Sequence, residues 1–221
     1  MESVTGIEMA KESNSLGCRG IVNRFDSSLN EILNNKNSVR KINAISIALN
    51  TPLDTVKKLS EGKKIICIDT ANANNREVLK KTELLKNSLN VKVIVGNIAH
   101  GASLKQLVDA GTDAVRVGRG SGSVCSTIIQ TGIGIVQVSS LLDVYFARKE
   151  GKLKIAIIAD GGIKGSGDVA KAIALGADAV MLGRLLAGTR ETPGEVIRYK
   201  DQLWKKYRGS ASFGVKMKNE F

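Results

Sequence analysis

The chain has 221 residues, is 43% hydrophobic and carries a formal net charge of +12 at neutral pH. That length buries one substantial core and no composition shift marks a linker, so a single domain over residues 1–221 is expected, with no inserted regulatory domain. No apolar run reaches the ~18 residues that span a bilayer, and lysines scattered singly or in pairs, with few aromatics, suit an anionic small molecule better than nucleic acid.

The predicted elements alternate between helical patterns and short apolar runs. Thr5-Gly6-Ile7-Glu8 reads as a capping box that opens a first helix, and Gly17 stands where a left-handed residue ends it. Strands are expected at 20–23, 44–48, 64–69, 91–96, 114–118, 154–160 and 179–182. Each is short, continuous and rich in Val, Ile and Ala, as parallel strands buried on both faces are. Thr51-Pro52 places a cap residue before a proline at the first position of the helix after the second strand. Gly111 and Gly176 close later helices as Gly17 does.

An internal echo favours a barrel over a doubly wound sheet. Gly111-Thr112-Asp113-Ala114-Val115-Arg116-Val117-Gly118 recurs as Gly176-Ala177-Asp178-Ala179-Val180-Met181-Leu182-Gly183. Both segments are a helix stop, a short turn, a buried strand and a glycine at the strand's C-terminal end. Repeated βα units of roughly 20–30 residues predict a TIM-type (β/α)8 barrel, with the active site at the C-terminal ends of the strands. Seven strands are found where such a barrel has eight.

The chemistry-bearing stretch is Gly118-Arg119-Gly120-Ser121-Gly122-Ser123-Val124-Cys125-Ser126-Thr127. Its alternate glycines permit unusual φ values and let several backbone groups face one ligand. A cysteine in such a solvent-reachable loop is placed to be a nucleophile. Cys67, within Ile65-Ile66-Cys67-Ile68, reads as a buried strand residue. Three widely spaced cysteines without a C-x-x-C pair, and no leader segment, fit a reducing cytoplasm. Two further strand ends are glycine-rich, Asp160-Gly161-Gly162 and Leu182-Gly183-Arg184, where backbone N–H groups can approach a phosphate closely. Asp160, one step deeper, suits ribose hydroxyls, although an Asp before two glycines also caps turns.

Segments 118–131 and 177–195, with Ala159-Asp160-Gly161-Gly162-Ile163 and Ser166-Gly167-Asp168, resemble the IMP dehydrogenase/GMP reductase family. The similarity runs from Met1 to about residue 215, and Met1-Glu2-Ser3-Val4-Thr5 is similar to that family's Met-Asp-Ser/Thr-Val segment. The resemblance implies a barrel that binds a purine nucleotide, GMP or IMP. A loop cysteine attacks C2 of the base, and a nicotinamide cofactor exchanges hydride with that carbon. It makes Cys125 the nucleophile and Thr127 its assisting hydroxyl. Ser123, Gly162, Gly183 and Tyr207 would hold the phosphate, with Gly209 beside Tyr207, Arg184 as an added clamp or a block, and Asp160 on the ribose. Asp69 matches the position that meets the cofactor. The carbonyls of Gly120, Gly122 and Cys125 would take a potassium ion. A homo-oligomer, a tetramer, is expected.

Between the family's two activities, Asn23-Arg24-Phe25, Gly209-Ser210-Ala211-Ser212 and Glu191 are more similar to a branch of GMP reductases. That resemblance gives Arg24 a position basic in the reductase and Glu191 a part in releasing ammonia. The dehydrogenase's long flap has no room before Phe221. The expected activity is therefore NADPH-dependent reduction of GMP to IMP. The alternatives are an IMP dehydrogenase using NAD and a catalytically silent nucleotide-binding relative. Departures from the family pattern are Ser121 in place of a proline, Asn72 and Ala73 in place of His-Gly, and Arg184 in place of a small residue. His100 reads as an exposed loop or cap residue. The barrel is expected to lack its first strand and C-terminal elements, leaving the chain oligomeric or marginally stable.

Overall fold

In a computed structural model, residues 1–34, 41–125 and 127–209 are described, without the side chains of 26–28 and 127. Seven parallel strands follow one another across a single sheet in chain order. They are β1 (Ile21–Val22), β2 (Ala44–Ile47), β3 (Ile65–Asp69), β4 (Lys92–Ile98), β5 (Ala114–Val117), β6 (Ala156–Asp160) and β7 (Ala179–Met181). Helices α1 (Ile7–Ser15), α2 (Asp26–Asn34), α3 (Leu53–Ser60), α4 (Arg76–Ser88) and α5 (Leu104–Asp109) flank the first five strands. After β5 come α6 (Thr127–Thr131), α7 (Gln137–Glu150) and α8 (Ser166–Ala174). Sequential parallel pairing with helical crossovers is the winding of a (β/α)8 barrel, here incomplete: among the described residues β1 pairs only with β2, and β7 only with β6. No helix among the described residues is long and apolar enough to cross a membrane.

Side chains alternate across each strand, so the sheet has two apolar faces. Ile66, Ile68, Val93, Val95, Val115, Val117, Ile157 and Ala159 share one buried cluster with Leu59, Val78, Leu85, Leu104, Leu107, Leu141 and Val144 of the helices. Full burial of each large aliphatic side chain stabilises by about 1.5–3 kcal/mol, so this shell holds the helices on the sheet. The residues between them in sequence face the barrel interior, where Cys67, Ile94 and Ala114 pack with Ile21, Ile65, Ala156 and Ile158. At the sheet's edge β7 departs from the expectation of strands buried on both faces: Ala179 is exposed, and among the described residues no strand pairs with β7 on its other side.

The internal echo is structural. The Asp113 carboxylate accepts the Val93 N–H at 2.8 Å and the Lys86 ammonium at 2.9 Å. Asp178 accepts the Ile157 N–H at 2.7 Å and pairs with Arg148. In each repeat an aspartate just before the strand ties it to its predecessor. Gly17, Gly111 and Gly176 end their helices with φ of +80, +93 and +96°.

Both expected helix caps differ from the observed ones. At α1 the cap position is Gly6, with no side-chain cap bond. The Thr5 carbonyl instead accepts the Asn23 N–H and side-chain amide, which draws Thr5 toward the end of β1, and Glu8 pairs with Lys11. At α3 the cap position is Pro52, one residue later than expected, because the Thr51 hydroxyl accepts the Ala48 N–H in the preceding turn. An antiparallel hairpin of β8 (Val196–Tyr199) and β9 (Gln202–Lys205) follows the barrel strands and was not expected. Its two-residue turn carries positive φ at Lys200 and Asp201, 47 and 56°, without the Asn-Gly pair that announces such turns.

Candidate active site

The barrel interior changes from apolar to charged over two residues. Strand register aligns Cys67 with Ile94, Ala114 and Ala156, and one inward layer nearer the C-terminal ends aligns Asp69 with Gly96, Arg116 and Ile158. Gly96 has no side chain to fill its share of this layer. A Cβ there would overlap that of Arg116, so glycine is what admits the arginine. The next residue, Asn97, is the extra residue of a bulge on β4, since Gly96 pairs with Arg116 and Ile98 with Val117. Bulges re-aim side chains next to functional sites. This one directs the Asn97 amide at Asp160 and at the carbonyl of Gly118, at 2.8 and 2.7 Å.

Arg116 binds across the layer. Its Nη1 donates to Asp69 Oδ1 at 2.9 Å and to Cys67 Sγ at 3.4 Å, its Nε to Asp160 Oδ2 at 3.1 Å, and its Nη2 to Asn97 Oδ1. Arg24, stacked on Phe25, donates to Asp69 Oδ2 at 3.1 Å. Two guanidiniums thus face two carboxylates, in a layer where Arg116 is only 12% exposed. Burial alone would raise the Asp69 pKa, but the charges of Arg116 and Arg24 outweigh it and hold the carboxyl below the usual aspartate range. Burial pushes the Cys67 thiol up, with Arg116 opposing.

The depressed Asp69 pKa sets a direction for stability. Its contribution is whole above the ordinary aspartate pKa of ~3.9 and is lost as pH falls through the lower native value. Asp69→Asn should therefore be less stable than the parent at pH 7 in urea unfolding, and the gap should narrow below about pH 4. A gap that stayed constant down to the acid transition would deny the carboxylate this role.

The cysteine loop lies over the ends of β5 and β6. Ser121 Oγ donates to the carbonyl of Asp160 at 2.9 Å, and a Cβ at Gly161 would meet the Gly122 nitrogen at 3.0 Å. Ile128 of α6 packs where side chains at Gly120 or Gly134 would stand, closing the loop's base. Cys125 is half-buried, and its N–H returns to the Gly122 carbonyl at 2.9 Å. Ser123 Oγ and Tyr207 Oη share a hydrogen bond of 3.0 Å. A Cβ at Gly183 would sit 3.6 Å from that same Tyr207 oxygen, and one at Gly209 would sit 3.1 Å from the Val124 carbonyl. Ser3 Oγ donates to the Arg208 carbonyl and accepts its N–H, at 3.1 and 3.2 Å. Ser123, Cys125, Asp160, Gly162, Gly183, Tyr207 and Gly209 therefore gather at one mouth. Arg24 and Asp69 join it through Arg116.

Other expected residues stand apart from this cluster. Glu191 is half-buried, and its ion contact is with the adjacent Arg190 at 3.9 Å. Its segment is fixed by Lys205, whose ammonium donates to the carbonyls of Thr189, Arg190 and Thr192 at 3.0, 3.0 and 2.6 Å. Arg184 is exposed beside Gly183. The Thr127 side chain and residues 210–212 lie outside the described residues. His100 is exposed, and its Nδ1 lies 3.4 Å from Asp143. Sequence reasoning missed Arg116, Asn97 and Lys205. A lone charge at an inward strand position was the signal for the first.

Residues 1–220 match the model of the IMP dehydrogenase / GMP reductase domain. The chain belongs to this family. It is 48% identical over 165 residues to the inosine-5'-monophosphate dehydrogenase of Aquifex aeolicus, covering 74% of this chain and 33% of that protein. It is 44% identical over 174 residues to that of Staphylococcus saprophyticus, covering 78% and 35%. With that of Thermoplasma acidophilum the figures are 44% over 154 residues, 70% and 31%. The chain thus spans about a third of the length of these relatives. All three are named for the dehydrogenase, one of the family's two activities.

Proposed function

We propose that this chain carries the nucleotide-holding and nucleophile-bearing part of an IMP dehydrogenase-type oxidoreductase site. The observation that carries the reading is the Ser123–Tyr207 hydrogen bond, beside Gly183 and above Asp160-Gly161-Gly162. A mononucleotide phosphate fits among the Ser123 and Tyr207 hydroxyls and the backbone N–H groups at Gly162 and Gly183. Asp160 then meets the ribose, and the base lies under the Cys125 loop. The Cys125 thiolate attacks C2 of the 6-oxopurine, hydride leaves that carbon, and water later releases the product.

A nicotinamide, NAD in this direction, is the expected hydride acceptor. Asp69 already gives each oxygen to a guanidinium, so it is not a carboxylate reserved for the cofactor. Of the carbonyls of Gly120, Gly122 and Cys125 that would take a potassium ion, that of Gly122 is engaged in the loop's own turn. Assembly of several copies, with a tetramer the family-like case, and a cytoplasmic setting belong to the same reading. The dehydrogenase is favoured over the reductase by the names of the three relatives.

The test is spectrophotometric, on the full chain. NADH formation from IMP and NAD is expected, with no NADPH consumption on GMP. Oxidation of NADPH by GMP would reverse the assignment to the reductase. Thermal stabilisation by IMP without turnover in either direction would make the chain a silent nucleotide-binding relative.

A further inference from the structure

We infer that Arg116 is a positioning residue for ligand recognition, acting through Asp160. The inference rests on the proposed reading that Asp160 meets the ribose diol.

The two donors that reach the Asp160 carboxylate fall on the same oxygen. Arg116 Nε and Asn97 Nδ2 both donate to Oδ2, at 3.1 and 2.8 Å. Among the described residues Oδ1 accepts no hydrogen bond, and the side chain keeps 19% of its surface at the mouth. Two donors on one oxygen fix the carboxylate plane and leave the other oxygen for a ligand's hydroxyls. Ser121 holds the Asp160 carbonyl, so the residue is pinned at both its backbone and its side chain.

Arg116 can perform this task because it is itself fixed. Asp69, Asn97 and Cys67 take its terminal nitrogens, and Gly96 leaves the space its stem crosses. The guanidinium fork is what allows one side chain to address strands β3, β4 and β6 at once. A lysine ammonium is a point charge and cannot keep three directions in register. Arg116 is nearly buried and has neither an exposed head to offer a ligand nor a proton to give at neutral pH. Its effect on recognition passes through Asp160.

The experiment compares Kd for IMP and for 2′,3′-dideoxy-IMP in the parent chain, Arg116→Lys and Asn97→Ala. The parent should prefer IMP, since the analogue leaves Asp160 without its partner. Arg116→Lys should reduce that preference about tenfold while leaving the dideoxy Kd nearly unchanged. Asn97→Ala keeps the Arg116 bridges to both carboxylates and removes one of the two donors to Oδ2. It should reduce the same ratio by a smaller factor, which serves as the check if Arg116→Lys does not fold. A purely structural role would weaken both ligands in parallel and leave the ratio intact, overturning the inference. If the parent itself shows no preference for the diol, the reading of Asp160 fails, and that result is distinct from the failure of Arg116 alone.

Discussion

Gly118→Ala should lower the stability of the chain by about 3 kcal/mol, combining backbone strain with overpacking. Gly118 has a φ of +143°, which L side chains rarely adopt, and a Cβ there would overlap the Asp160 carbonyl oxygen and the Gln137 amide. The backbone cannot step aside. The Val117 carbonyl accepts the Gln137 side-chain N–H at 2.7 Å and the Gly118 carbonyl accepts the Asn97 amide at 2.7 Å. Because Gly118 is the root of the cysteine loop, the same variant should also weaken nucleotide binding. Urea unfolding and IMP titration measure the two losses. An alanine tolerated within about 0.5 kcal/mol would show that the ends of β5 and β6 yield more readily than their hydrogen bonds imply.

Cys125→Ser should cut turnover by roughly a thousandfold or more while leaving the Kd for IMP within about threefold. Serine keeps the shape of the side chain and the N–H bond to Gly122, but a hydroxyl at neutral pH is a far weaker nucleophile than a thiolate. Cys18→Ser and Cys67→Ser should retain activity. Cys18 is exposed, and Cys67 is buried against Arg116 below the charged layer, with its thiol pushed up by burial. Steady-state rates with IMP and NAD, set beside calorimetric affinities, separate the chemical step from binding. A Cys125→Ser enzyme with near-parent turnover would remove the nucleophile from the account.

The barrel strands were legible because parallel strands covered by helices are continuous apolar runs, and runs such as Ile65-Ile66-Cys67-Ile68 have no other economical fold. The aspartates of the echo carried more meaning than a turn former does, since Asp113 and Asp178 tie adjacent strands together. The glycine-rich segments follow the C-terminal ends of β6 and β7, the end at which a barrel's site is expected. Arg116 was hidden in Ala114-Val115-Arg116-Val117, where three apolar neighbours made the run read as uniformly buried. Its partners Asp69 and Asp160 lie 47 and 44 residues away in sequence, and Gly96 makes room for it on an intervening strand. Only the register brings these four together. The hairpin was illegible for a local reason, since Lys200-Asp201 adopts a turn that sequence statistics reserve for Asn-Gly. The two misplaced caps have different causes: the Thr5 carbonyl is drawn to Asn23 near the end of β1, a contact distant in sequence, whereas the Thr51 hydroxyl is taken locally by the Ala48 N–H.

Peptide mapping by mass spectrometry after treatment with 6-chloropurine ribonucleotide tests the central claim most directly. That nucleotide is an electrophile that a thiolate at the base site would capture by displacing chloride. The adduct should lie on Cys125 alone and should be suppressed by excess IMP. An adduct on Cys18 or Cys67, one that IMP does not suppress, or none at all would contradict the placement of a purine nucleotide beneath the Cys125 loop.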